Sequence, residues 1–198
     1  MFLPTELHNV VEDLSVQYSP GRSEPFVLES MVYNDPVGRK PVQEKAPSAV
    51  PLSLALGGGM GIIIVGLSLL LSNRNRASRI FFGVASSVAG LVIGLPGIAL
   101  TLMSLFTDHT VTYWNENLAL ANPVTFLAFP LGMFAACGFR LIGRITAWLW
   151  IILAGIAIVY VVLKPLPLFI QDNWQIIGLI GPILAALAFS ARAELTTD

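Results

Sequence analysis

Reactive side chains are scarce in this chain. It holds a single cysteine, Cys137, which excludes an internal disulfide and any paired-thiol redox or metal motif. Its two histidines, His8 and His109, lie far apart with no carboxylate at helical ligand spacing, so no zinc site is expected. No motif points to a cofactor, and none is expected. Charge is scarce as well: acids and bases make up 12% of the residues, and a net charge of −1 removes the basic face that a nucleic-acid partner needs. The opening "MFLPTELHNV" does not have the basic and then apolar regions of a signal peptide.

What the chain has in excess is apolar surface. With 198 residues, 55% of them hydrophobic, and a mean hydropathy of +0.76, it has more apolar area than a soluble domain of this size can hide. An all-α, polytopic membrane helix bundle is the expected fold, multi-pass in the inner (plasma) membrane with lipids as its immediate partners. The apolar runs are Pro51 to Leu71, Ile80 to Phe106, Pro123 to Phe139, Ile145 to Leu163 and Ile176 to Ser190. A helix needs about 20 apolar residues to cross the hydrocarbon layer. The first, second and fourth runs meet that length. The third and fifth cross only if their polar flanks sit at the headgroups, and the fifth is the weakest of the five expected spans.

Residues 1–49 differ from the membrane domain expected over 50–198. They hold most of the acids and many of the prolines. Thr5 to Leu14 reads as a short helix, capped by Thr5 and striped by Leu7, Val10, Val11 and Leu14. Pro25 to Tyr33 reads as a strand, and Asp35 to Pro51 as a proline-rich linker. One helix and one strand cannot bury a core, so this segment is expected to be the trailing edge of a larger outer domain or a pad on the membrane surface.

The arginines set the orientation. Arg74, Arg76 and Arg79 lie between the first and second runs, Arg140 and Arg144 between the third and fourth, and Arg192 after the fifth. The alternate loops hold one basic residue, Lys164. The positive-inside rule then places the arginines in the cytoplasm and the N-terminal segment outside, with Tyr113, Trp114 and Trp174 in the outer aromatic belt.

Within the spans, Gly57 and Gly61, and again Gly90 and Gly94, stand at the spacing that lets helices pack closely in lipid. Pro96 is expected to kink the second span. Cys137, among Ala135, Ala136 and Gly138, reads as a buried small hydrophobe and not as a nucleophile, since no base stands near it in sequence.

One stretch concentrates polar chemistry. "TDHTVTYWNENLALANP", Thr107 to Pro123, puts Asp108, His109, Asn115, Glu116, Asn117 and Asn122 between two apolar runs. Such groups cap helix ends, dock a headgroup or a neighbouring domain, or carry out acid/base chemistry. Adjacent side chains such as Asp108 and His109 point in different directions, which favours capping and docking over catalysis. Asp108, His109, Asn115, Asn117 and Asn122 form the expected outer polar site.

The run "FTDH", followed by "NENL" and "ANP" ahead of a new span, resembles the membrane portion of the Lnb-type lipoprotein N-acyltransferase family. "FLPTEL" and "PFVLESMVY" are similar to the end of that family's outer domain. The resemblance implies transfer of an acyl chain to the amine of a lipoprotein's N-terminal cysteine, by a cysteine–histidine pair in an outer papain-like domain. That domain has no counterpart here, and Cys137 is expected on the opposite side of the membrane. The chain therefore reads as a truncated or split member that positions a lipidated substrate at the outer leaflet and is not catalytic alone. Its partners would be lipoproteins or a separate extracytoplasmic domain. The rival reading is a non-enzymatic membrane scaffold subunit. A small transporter ranks below both, because no acid or histidine falls at mid-membrane depth and no inverted repeat is evident.

Overall fold

The computed structural model describes residues 14–19, 22–25, 48–72, 75–107, 113 and 115–196. It divides the chain into two units, Met1–Ala46 and Pro47–Asp198. In the first, β1 (Ser15–Ser19) and β2 (Arg22–Pro25) form an antiparallel hairpin with Ser15 opposite Pro25. All but Pro25 of the expected strand over Pro25 to Tyr33, and all but Leu14 of the expected helix over Thr5 to Leu14, lie outside the described residues.

The second unit is an all-α membrane bundle. Its helices are α1 (Val50–Leu71), α2 (Asn75–Phe106), α3 (Ala128–Ala136), α4 (Arg140–Leu163) and α5 (Trp174–Thr196). Two 3₁₀ turns, Glu116–Ala119 and Pro123–Leu127, precede α3. Four of these helices, α1, α2, α4 and α5, are long and apolar enough to cross a membrane. At 1.5 Å per residue they reach from roughly 33 to 48 Å.

Of the five expected spans, the third, expected to cross only with its polar flanks at the headgroups, is the one that falls short. The run from Pro123 yields a 3₁₀ turn of 5 residues and then a helix of 9. Together they reach roughly 24 Å, short of the roughly 30 Å hydrocarbon layer. Pro123 starts the turn, and the Asn122 side chain accepts from the Val124 N–H at 3.0 Å, which holds the first residues in the tighter geometry. Gly138, at φ 103°, ends the helix in a left-handed turn that side-chain-bearing residues rarely adopt. The fifth run, expected to be the weakest, is instead a helix of 23 residues that continues through Pro182. Likewise α2 continues through Pro96.

The principal packing pairs are α1 with α5, α5 with α4, α4 with α3, and α3 with α2. Small residues make these approaches close. A Cβ on Gly57 would lie 2.3 Å from the Gly178 carbonyl oxygen of α5, and one on Gly61 would lie 3.1 Å from the Pro182 carbonyl. On α2, a Cβ on Gly90 would meet Phe129 N and one on Gly94 would meet Phe126, each at 2.5 Å. Two polar ties cross the apolar interior: the Trp150 indole donates to Ser86 Oγ at 2.9 Å, and Ser87 Oγ donates to the Phe129 carbonyl at 2.9 Å. Both replace water that lipid cannot supply.

Cys137 needs a second correction. It is exposed, because α3 ends at Ala136 and leaves the cysteine in the turn at the bundle's end.

Candidate functional site at the arginine-poor end

Two connections meet at the end of the bundle opposite the arginines. One runs from the end of α2 through the turn Glu116–Ala119, and the other joins α4 to α5. The sequence marks both ends of the second connection: Pro165 and Pro167 follow α4, and Asn173 precedes α5, its carbonyl accepting from the Ile176 and Ile177 N–H groups at 2.9 and 3.1 Å.

Glu116 ties the two connections together. Its Oε1 accepts from the Gln171 N–H at 2.8 Å, and its own N–H donates to Gln171 Oε1 at 3.0 Å. Its Oε2 accepts from the Tyr160 hydroxyl at 2.8 Å and from the Lys164 ammonium. Lys164 also donates to the Gln171 carbonyl. Asn173 Nδ2 donates to Asn117 Oδ1 at 2.8 Å and to the Tyr160 hydroxyl at 2.8 Å. Phe169 packs edge-on against Tyr160, with ring centroids 5.6 Å apart. Lys164 is 6% exposed and Asn173 is 4% exposed, so these bonds form away from water, where an unmet polar group costs most.

Burial pushes the Glu116 carboxyl up. The hydrogen bonds from Gln171, Lys164 and Tyr160, with the Lys164 charge, outweigh it and hold the group below its ordinary 4.5. Burial pushes the Lys164 ammonium down, but hydrogen bonds with Glu116 and Tyr160 and the charge beside it hold the group above its ordinary 10.5. A depressed carboxylate contributes stability above its unfolded value and loses it as pH falls through the folded one. A raised ammonium contributes below its unfolded value and loses it as pH rises through the folded one. The pair is therefore intact from about pH 5 to about pH 10. Melting temperature against pH in detergent is expected to be level across that window, and Glu116→Gln is expected to flatten the acid limb. A wild-type midpoint near neutrality would contradict this assignment.

Beside the ion pair is a cleft of about 720 Å³, within the range of small-molecule sites. Its lining combines the polar residues Asn115, Glu116, Gln171 and Tyr160 with the apolar Leu118 and Phe169. At its rim, Leu168 and Ile170 are 82% and 86% exposed, so the cleft opens beside side chains suited to lipid. Of its hydroxyls, Ser104 donates to the Leu100 carbonyl and Tyr113 to the Thr107 carbonyl, each at 2.9 Å. Its lining includes no described histidine or cysteine. The arrangement can hold a polar head beside an apolar chain, and among the described residues it shows no activated nucleophile.

Of the site residues expected from sequence, Asp108 and His109 lie outside the described residues. Asn115 Oδ1 caps the Glu116–Ala119 turn by accepting from the Asn117 N–H at 3.0 Å, and Asn115 also lines the cleft. Asn117 joins the network, whereas Asn122 caps the turn into α3. Tyr160, Lys164, Gln171 and Asn173 were not among the expected site residues, and Glu116 appeared only as a member of the polar stretch. Lys164 carried a signal, as the lone basic residue of its set of loops. No protein family, characterised protein or solved structure matches the chain.

Proposed function

We propose that this chain is the membrane-embedded part of a system that N-acylates bacterial lipoproteins, and that its outer end holds the lipidated substrate while a separate outer domain carries out the chemistry. The observation that carries this reading is the cleft beside Glu116, lined by hydrogen-bonding as well as apolar residues, with Leu168 and Ile170 of its lining largely exposed. The resemblance of Thr107 to Pro123 to the Lnb-type family supports the same placement. On this reading the arginines face the cytoplasm, the cleft opens at the outer leaflet of the inner membrane, and the ion pair keeps the cleft's walls in register.

Ala119 lines the cleft and is not part of the polar network, so Ala119→Phe fills the cavity and leaves the ion pair in place. In cells carrying the gene in its natural context, lipoprotein N-acylation is expected to fall by about tenfold or more at normal protein level, since misplacing a substrate by an ångström costs that much. The readout is mass spectrometry of lipoprotein N-termini. Unchanged acylation at normal protein level would overturn the proposal and leave the scaffold reading in its place.

A further inference from the structure

The opposite end of the bundle holds a second cavity, of about 490 Å³, lined by Arg76, Arg79, Ile80, Ala136, Cys137 and Gly138. Arginines at this end are sufficiently explained as topology anchors when their guanidinium groups reach into water. Arg79 does not fit that explanation. Its Nε is buried and has no hydrogen-bond partner among the described residues. Glu194 Oε2, 3.8 Å away, forms an ion pair with it but lies beyond hydrogen-bond reach, so the pair leaves this N–H without an acceptor.

The backbone adds to the positive field. α2 begins at Asn75 and α4 at Arg140, neither with an acid in its own first turn; the Glu194 carboxylate lies over Gly143 at the start of α4, so the α2 N-terminus directs the freer positive end toward this side. Two guanidinium groups in the cavity's lining, one of them shared with a single carboxylate, and the start of α2 together keep a net positive field and form a receptor for an oxyanion. Ile80, Phe139 and Leu141, close by in the chain, are exposed apolar side chains on the bundle's outer surface, along which acyl chains can lie.

We propose that this cavity binds a phosphate group, supplied by the headgroup of an anionic phospholipid in the adjoining leaflet. The Arg79 guanidinium donates to one phosphate oxygen, and Arg76 closes over the group from the exposed side. The proposal does not depend on the acylation reading, because it concerns the other end of the molecule and a different ligand.

The full chain in nanodiscs of equal phosphatidylglycerol and phosphatidylcholine provides the test, with retained lipid read by native mass spectrometry. Phosphatidylglycerol is expected to be retained in preference, and Arg79→Gln to reduce that preference about fivefold. Arg76 is exposed, so Arg76→Gln reads the same site without threatening the fold. Arg192 lies outside this cavity, its guanidinium 3.4 Å from the Phe189 ring centroid, so Arg192→Gln removes an equal charge elsewhere and is expected to change little. A second arm measures melting temperature in phosphatidylcholine alone, with and without inorganic phosphate. Stabilisation there that Arg76→Gln abolishes would support the phosphate site and assign it to a free anion as well as a headgroup. Equal effects of Arg76→Gln and Arg192→Gln, or no preference for phosphatidylglycerol in the parent, would overturn the site and leave only the general charge of this face.

Discussion

Lys164→Met is expected to destabilise the bundle by about 2–4 kcal/mol. The loss comes less from the attraction removed than from the charge left behind. The Glu116 side chain is 9% exposed, and without Lys164 its carboxylate keeps only the Gln171 N–H and the Tyr160 hydroxyl. The range is set below that of a fully interior pair because the site lies at the end of the bundle, where water is near. Pairing Lys164→Met with Glu116→Gln removes the stranded charge, so the double variant is expected to recover more than half of the loss. Unfolding free energies of the parent, both single variants and the double, measured in mixed detergent micelles, close the cycle. A coupling below about 0.5 kcal/mol would show a pair solvated like an ordinary surface ion pair. Tyr160→Phe, which removes one hydroxyl, is expected to cost about 1 kcal/mol.

That prediction rests on residues the sequence placed far apart, and the reason they were missed is instructive. The polar stretch ending at Pro123 could be seen because Asn115, Glu116, Asn117 and Asn122 interrupt apolar runs. The partners of Glu116 and Asn117, which are Tyr160, Lys164, Gln171 and Asn173, lie 44 to 56 residues away, and no periodicity carries across such a gap. Lys164 read as a minor exception to the positive-inside pattern. Its cause is the opposite of random: a lysine persists at this end because a buried carboxylate waits for it. An acid in one loop and a single base in the loop beside it in topology is the signal that pairs them, and it needs the helix order before it can be read.

The fold was more legible, because hydrophobic length decides it. The runs beginning at Pro51, Ile80 and Ile145 have the length of spanning helices, and the corresponding α1, α2 and α4 do too. The errors fall where length and hydropathy compete with backbone chemistry. Gly138 ends α3 early despite apolar Phe139 beyond it, and the cap at Asn122 tightens its first turn. Conversely, Trp174 and Gln175 extend α5 past its apolar run at one end, and Ala191 to Thr196 extend it at the other, where Glu194 lies over Gly143 of α4. Hydropathy measures what lipid tolerates, whereas helix ends depend on caps and close contacts.

The close contacts give the second large effect. Gly57 and Gly58 are neighbours with the same side chain, yet opposite outcomes are expected on substitution. A Cβ at Gly57 would lie 2.3 Å from one backbone oxygen of α5 and 2.4 Å from the next, and neither can rotate away as a side chain could. Gly57→Leu must therefore push α1 off α5, in a solvent where packing, and not water exclusion, drives helix association. A loss of about 3 kcal/mol or more is expected, seen as a lower yield of folded protein and a lower melting temperature. A Cβ at Gly58 meets nothing within 4 Å, so Gly58→Leu should leave stability within about 0.5 kcal/mol of the parent. If both variants were equally harmless, α1 would not pack on α5 at this register. If both were equally harmful, a further surface covering Gly58 would have to be sought in a partner or a second copy of the chain.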